Sequence, residues 1–217
     1  MQGLHYLKGL RAFTLAEVLI TLSIIGVVAA MTMPALIGEH RKKVTAVRLK
    51  QFASIWQQAY QSVYYKNGDY RYFGTLEALN PDSTLEFYNE NYGKFITTTE
   101  IEKSNYGITG ALPNGSGFYF YRWDGSSDTS SRTYLTFCPY YKDCRELAAT
   151  ASPIAGEHIV DGKKTFSFYM NGHPPNDSFD ETKDRNWLIE QCKSKKGYCT
   201  KLIEYDGWEI KDDYPVR

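Results

Sequence analysis

From Phe13 to Ile37 the chain carries a single charged side chain, Glu17, in 25 residues otherwise built of apolar residues, Thr, Ser, one Gly and one Pro. Wound as a helix, these residues extend about 37 Å, enough to cross a hydrocarbon core of roughly 30 Å. A second pattern follows without a break. Leu49, Phe52, Trp56, Ala59 and Val63 recur at spacings of three and four and predict one apolar helix face, broadened by Ile55. Lys50, Ser54, Gln57, Gln58 and Gln61 fall on the opposite face. Asn67-Gly68-Asp69 ends the helix. Phe13 to about Tyr65 therefore reads as one helix of roughly 80 Å. Gly26 and Pro34 are its weak points, and Pro34, which removes a backbone hydrogen bond, is expected to bend or locally melt it.

Past residue 68 the pattern is shorter and more broken. Leu76 to Leu79, between Gly74 and Pro81, predicts a short helix, and Leu85 to Ile96 predicts another packed on the long one. Gly117 to Trp123 and Thr133 to Phe137 read as two strands of a hairpin joined by the polar Asp124 to Asp128 stretch. Thr165 to Met170 reads as a strand running into the Asn171-Gly172 turn. Gly207 to Pro215 is expected to form a last edge strand, with Trp208 and Ile210 on one side and Glu209 and Lys211 on the other. The sum is an α+β arrangement, an antiparallel sheet of about four strands packed on the long helix.

The segment ahead of the apolar run changes what the run means. Met1 to Ala12 holds His5, Lys8 and Arg11 and no acid, so the positive-inside rule puts it in the cytoplasm. A secretory signal has an apolar core of roughly 7–15 residues followed by a small-residue cleavage site. Here the run is longer, and the small residue Ala12 precedes it. An uncleaved anchor accommodates the length but gives Glu17 no role, and a lone acid in hydrocarbon marks a functional site.

Ala12 followed by Phe13-Thr14-Leu15-Ala16-Glu17-Val18-Leu19-Ile20 resembles the prepilin cleavage and methylation motif of type IV pilins and type II secretion pseudopilins. The resemblance covers about the first fifty residues. It implies a cut between Ala12 and Phe13 by a membrane peptidase and N-methylation of Phe13. Glu17 then becomes the fifth residue and Pro34 the twenty-second, where these pilins commonly hold a helix-bending proline. Where the family usually has Gly before the cut, this chain has Ala12. The implied organisation is a removed leader (1–12), a transmembrane and assembly helix (13–38), its amphipathic continuation (39–66) and a pilin-like head (67–217). The chain is expected as a single-pass protein of the bacterial inner membrane with its head in the periplasm, then in a pilus or pseudopilus. Its implied partners are copies of itself, other pilin-like subunits, prepilin peptidase and the assembly machinery. In a filament, Glu17 of one subunit can meet the Phe13 amine of its neighbour, which makes the acid a register device, because a misplaced subunit leaves it unpaired.

Charge is balanced, 25 basic residues against 25 acidic, and loss of the leader removes Lys8 and Arg11. No broad nucleic-acid footprint is present. Glu39-His40-Arg41-Lys42-Lys43 follows the apolar run and would meet phospholipid headgroups on the outer side of the inner membrane. Aromatic residues are abundant, with 18 Tyr, suited either to interfaces or to filling a β-rich core.

Cys138, Cys144, Cys192 and Cys199 fall in two local pairs, and export to an oxidising compartment makes disulfides the default. Cys138–Cys144 with Cys192–Cys199 is the simplest of three connectivities; cross-pairing is the rival. Zinc fits poorly, because the spacings exceed the usual knuckles. The second pair encloses the basic Lys193-Ser194-Lys195-Lys196-Gly197, either a solvated loop or a contact for DNA, an anionic surface or another subunit. Asn171-Gly172-His173-Pro174-Pro175-Asn176 is similar to a turn near the end of many pilins and pseudopilins, some of which bind calcium there. Asn176, Asp177, Asp180, Asp212 and Asp213, with Asp184 and Asp206, supply hard oxygen donors for Ca²⁺, although no EF-hand loop is present and loop acids are usually solvated. No other cofactor is expected.

Four dispersed His, and the absence of a nucleophile elbow, a P-loop or a dinucleotide turn, leave enzyme readings without support. Three functions remain: a filament subunit, a filament-borne binding module, and a membrane-anchored periplasmic protein that never assembles.

Overall fold

The computed structural model describes residues 13–68, 73–74, 76–123, 133–151, 160–175, 180 and 182–216. The chain divides into two units, Met1–Lys42 and Lys43–Arg217. Helix α1, Leu15–Asn67, supplies most of the first unit and continues into the second. It passes through Pro34 without interruption, so the local melting expected there does not occur. Within the first unit the large apolar side chains from Phe13 to Ile37 are all exposed.

In the second unit, α1 buries Ala46, Leu49, Phe52, Ala53, Trp56, Ala59 and Val63. Ile55 does not broaden this face. It is 41% exposed, and the small Ala53 takes the flank instead. The buried face packs on a five-stranded antiparallel sheet in sequential order: β1 Glu100–Lys103, β2 Gly107–Ala111, β3 Gly117–Arg122, β4 Thr133–Cys138 and β5 Phe166–Phe168. The register sets Gly110 opposite Phe118, Phe118 opposite Phe137, and Phe137 opposite Phe166.

Alternation along the strands sorts two cores. Ile108, Phe118, Phe120, Leu135, Phe137, Phe166 and Phe168 join the α1 residues in the main one. Tyr119, Tyr121 and Cys138 turn the other way and meet Cys144 and Ala148 of α3, Tyr141–Thr150. Both faces of the sheet are thus covered, which is why β3 is buried at every position. Trp56 lies at the centre of the main core. Its ring stacks on Tyr92 at 4.9 Å and meets Phe118 edge-on at 5.2 Å, and its Nε1 donates to the Met170 carbonyl at 2.8 Å. Tyr92 also donates to Met170 O. Most of the aromatic side chains described fill this core, and the exposed ones are Phe13, Tyr64, Tyr65, Phe95, Tyr140 and Tyr205.

Several expectations are corrected. The sheet has five strands, not about four. Strands β1 and β2 were not legible: one is a charged edge, and the other contains two glycines. Gly110 is small because the Phe118 ring lies where its Cβ would project. Leu76 to Leu79 form a turn, with Leu79 in the left-handed region (φ 51°) and its N–H bonded to Arg122 O. The helix expected at Leu85 to Ile96 is α2, Pro81–Asn91. It starts earlier because Asn80 Oδ1 caps the N–H groups of Asp82 and Ser83, and Pro81 occupies the first helical position. The strand at Thr165 to Met170 shortens to β5. The polar stretch Asp124 to Asp128 lies outside the described residues.

The edge strand expected at Gly207 to Pro215 does not form; that stretch is turn and irregular chain, and it follows two helices that were not expected. Helices α4, Arg185–Ser194, and α5, Tyr198–Tyr205, form a hairpin, and α5 closes with a Schellman motif. Gly207 N–H bonds Glu204 O and Trp208 N–H bonds Ile203 O, with Gly207 at φ 75° where a side chain would be strained. That turn redirects the chain, so Trp208 to Pro215 pairs with no strand.

Candidate functional site

Thr14 and Glu17 enclose the start of α1. The Thr14 N–H donates to Glu17 Oε2 at 2.9 Å, and the Thr14 hydroxyl donates to the same oxygen at 2.8 Å. The Glu17 N–H in turn lies 3.2 Å from Thr14 Oγ1. This is a capping box: two orphan groups of the first turn are satisfied reciprocally, and the carboxylate sits at the positive end of the helix dipole. The signal for this cap in the sequence is the Thr-x-x-Glu spacing of Thr14 and Glu17 ahead of the apolar run.

The other hydroxyls of this segment look inward too. Thr21 donates to Val18 O, Ser23 to Leu19 O and Thr32 to Val28 O. Every polar side chain between Phe13 and Ile37 is therefore bonded within its own helix, the condition hydrocarbon imposes. The helix is long and apolar enough to cross a membrane by length and composition. Phe13 is 85% exposed, and Ala12 lies outside the described residues.

Two disulfides brace the second unit. Cys138–Cys144 ties the end of β4 to the first turn of α3, and Cys192–Cys199 ties α4 to α5. The described cysteines are all paired. The basic stretch inside the second pair is the end of α4, Lys193 and Ser194, and the interhelical turn Lys195 to Gly197. Lys193 pairs with Glu190, and Lys196 Nζ caps the carbonyls of Cys192 and Lys193. At the first pair, Arg48 of α1 donates to Pro139 O and lies over the Tyr140 ring, 5.2 Å from its centroid.

The acids near the C-terminus are engaged with cations and amides of the protein itself. Arg185 holds Asp206 through Nε and Nη2 at 2.6 and 2.9 Å, and Asp213 through Nη1 and Nη2 at 2.6 and 2.7 Å. Lys211 adds a third contact to Asp206, 2.7 Å. Partial burial pushes the Asp206 carboxyl up, but the bonds from Arg185 and Lys211 prevail and hold it below the usual range. Asp213 is held down chiefly by Arg185. Asp184 caps α4 by accepting from Trp187 N, and Asp180 accepts from the N–H and hydroxyl of Thr182. Asn176 and Asp177 lie outside the described residues. Among the described residues no group of three or more His, Cys, Asp or Glu converges on a metal position. Sequence reasoning missed Arg185; the signal was the crowd of acids at 206, 212 and 213, which needs a cation nearby.

Residues 35–217 match a family of unknown function (DUF6613). The chain belongs to this family. The match spans the whole second unit, so the braced α+β domain is the DUF6613 domain. Residues 8–33 match the prokaryotic N-terminal methylation motif, and this takes in the capping box and most of the apolar run. The DUF6613 chain thus carries the amino terminus of a type IV pilin-like or pseudopilin subunit, a motif that implies peptidase processing and assembly with other such subunits in general. No curated protein and no solved structure matches it.

Proposed function

We propose that this protein is a structural subunit of a type IV pilus or a type II secretion pseudopilus. It is inserted with residues 1–12 in the cytoplasm and the DUF6613 domain in the periplasm. It is cut between Ala12 and Phe13, methylated on Phe13, and assembled through α1. The observation that carries this reading is the methylation motif laid over an apolar helix whose only charge is Glu17. In the subunit alone Thr14 satisfies that carboxylate; in the filament the neighbour's Phe13 amine becomes its ionic partner, and a buried pair is tolerated where a lone charge is not. The function is structural, and no chemistry is assigned to the domain.

Intact mass and amino-terminal sequencing of the protein recovered from its native membrane test this. A chain starting at Phe13 with one added methyl group is the expected result. A chain starting at Met1 would make it a static anchor.

A further inference from the structure

Asp143 stands in the first turn of α3 and is only 6% exposed, yet its carboxylate has no hydrogen bond and no ion pair with any described residue. Buried carboxylates ordinarily have partners, because one without them bears the full cost of losing water. The donors around this one are engaged elsewhere. The β4–β5 register ends with Phe137 opposite Phe166, which sets the Asp161 to Thr165 turn beside the Cys138–Cys144 bridge and the start of α3. In that turn the N–H groups of Lys163, Lys164 and Thr165 and the Thr165 hydroxyl all donate to Asp161 Oδ1. On α3 itself the Tyr141 N–H goes to Gly115 O, and Arg145 pairs with Glu102. The charged groups that act on Asp143 are mixed in sign: Lys142 and Glu146 from its own helix, Lys164 and Asp161 from the turn. Burial outweighs the two lysines and pushes the carboxyl above its ordinary value. The bridge closes the usual escape. Cys144, the next residue, is bonded to Cys138 at the end of β4, so the first turn of α3 cannot unwind to carry the carboxylate to water.

We infer that this corner is a proton-responsive latch: proton uptake by Asp143 seats the start of α3 on the sheet, and proton loss loosens it against the restraint of the Cys138–Cys144 bridge. The latch belongs to the folded domain and operates whether or not the chain assembles. A carboxyl held above its unfolded-state value opposes folding when ionised. That penalty is complete above the folded-state value, shrinks as pH falls through it and is gone below the ordinary value of about 4. A salt bridge from Lys164 would act with the opposite sign, making the ionised form the tighter one.

Thermal unfolding of the full chain in detergent micelles, wild type against Asp143→Asn, from about pH 4 to about pH 8 tests the latch. The variant should melt about 2–6 °C higher near neutrality, and the gap should close by about pH 4. A variant that melts lower near neutrality would show Asp143 paired with Lys164 and would overturn the inference, as would a gap that does not change with pH. In the Cys138→Ser/Cys144→Ser background, where α3 is free to unwind, the neutral-pH gap should shrink at least about twofold. An undiminished gap there would remove the bridge from the device and overturn it. Carbon-13 titration of the Asp143 carboxyl in the wild-type chain needs no variant to fold. A midpoint above the ordinary value of about 4 is expected, and one at or below it would overturn the inference.

Discussion

Replacing Arg185 with Leu should loosen the C-terminal third of the domain in a way that depends on pH. The guanidinium is 24% exposed and the side chain of Asp206 only 4%, so the substitution leaves a nearly buried carboxylate with Lys211 as its remaining cation. Stripping one partner from a buried pair costs about 3–5 kcal/mol. Retention of Lys211 and the partial exposure of Arg185 reduce this to about 2 kcal/mol. For a domain of this size that corresponds to a fall in Tm of about 4–8 °C. The folded-state pKa of Asp206 is depressed, so its contribution is complete above the ordinary carboxylate pKa of about 4 and is lost as pH falls through the lowered folded value. The gap between wild type and variant in thermal unfolding should therefore be widest near neutrality and should narrow below about pH 4. Asp206→Asn added to Arg185→Leu should recover part of the loss, because it removes the stranded charge. An unchanged Tm, or a gap that is the same at pH 7 and pH 3, would refute the assignment of Asp206 as the group Arg185 serves.

Three further outcomes are expected. Glu17→Ala should be inserted and processed with a folded domain yet yield little polymer in a shear-and-sediment assay; normal assembly would remove the role given to the acid. Trp56→Ala should cost about 3–5 kcal/mol in chemical denaturation, since it empties the middle of the aromatic core and deprives Met170 O of a donor. Cys138→Ser/Cys144→Ser should cost about 2 kcal/mol and make α3 the first segment cleaved in limited proteolysis, because the bridge closes a short loop at the helix start.

What was legible follows from where the physics is local. The long helix announces itself through a period sustained from Leu49 to Val63, and β3 and β4 through dense runs of Phe and Tyr. Helix α3 does not, because its buried positions are Asp143, Cys144 and Ala148, small or polar residues that leave no apolar stripe to read. Strand β2 hides for a related reason: Gly110 makes room for the Phe118 ring and Gly107 for the close approach of Phe120 O and Tyr121 Cβ, contacts from β3 that are absent from any local pattern. Gly207 to Pro215 reads as strand because Trp208 and Ile210 alternate with Glu209 and Lys211, yet Gly207 is the left-handed turn that ends α5 and the residues after it form no strand. At the amino terminus the acid was legible by its isolation, but its present partner is Thr14, and that bond is a matter of helix geometry.

The hydroxyls of the apolar segment have a consequence for how subunits choose one another. Thr21, Ser23 and Thr32 spend their donors on their own backbone, so a neighbouring helix in the bilayer meets methyl and methylene groups and finds no hydroxyl donor on offer. Packing of that kind rewards fit but reads identity poorly. In a membrane holding several related helices, discrimination between them then falls to the folded domain beyond Lys43, whose charged faces carry information the buried helix does not.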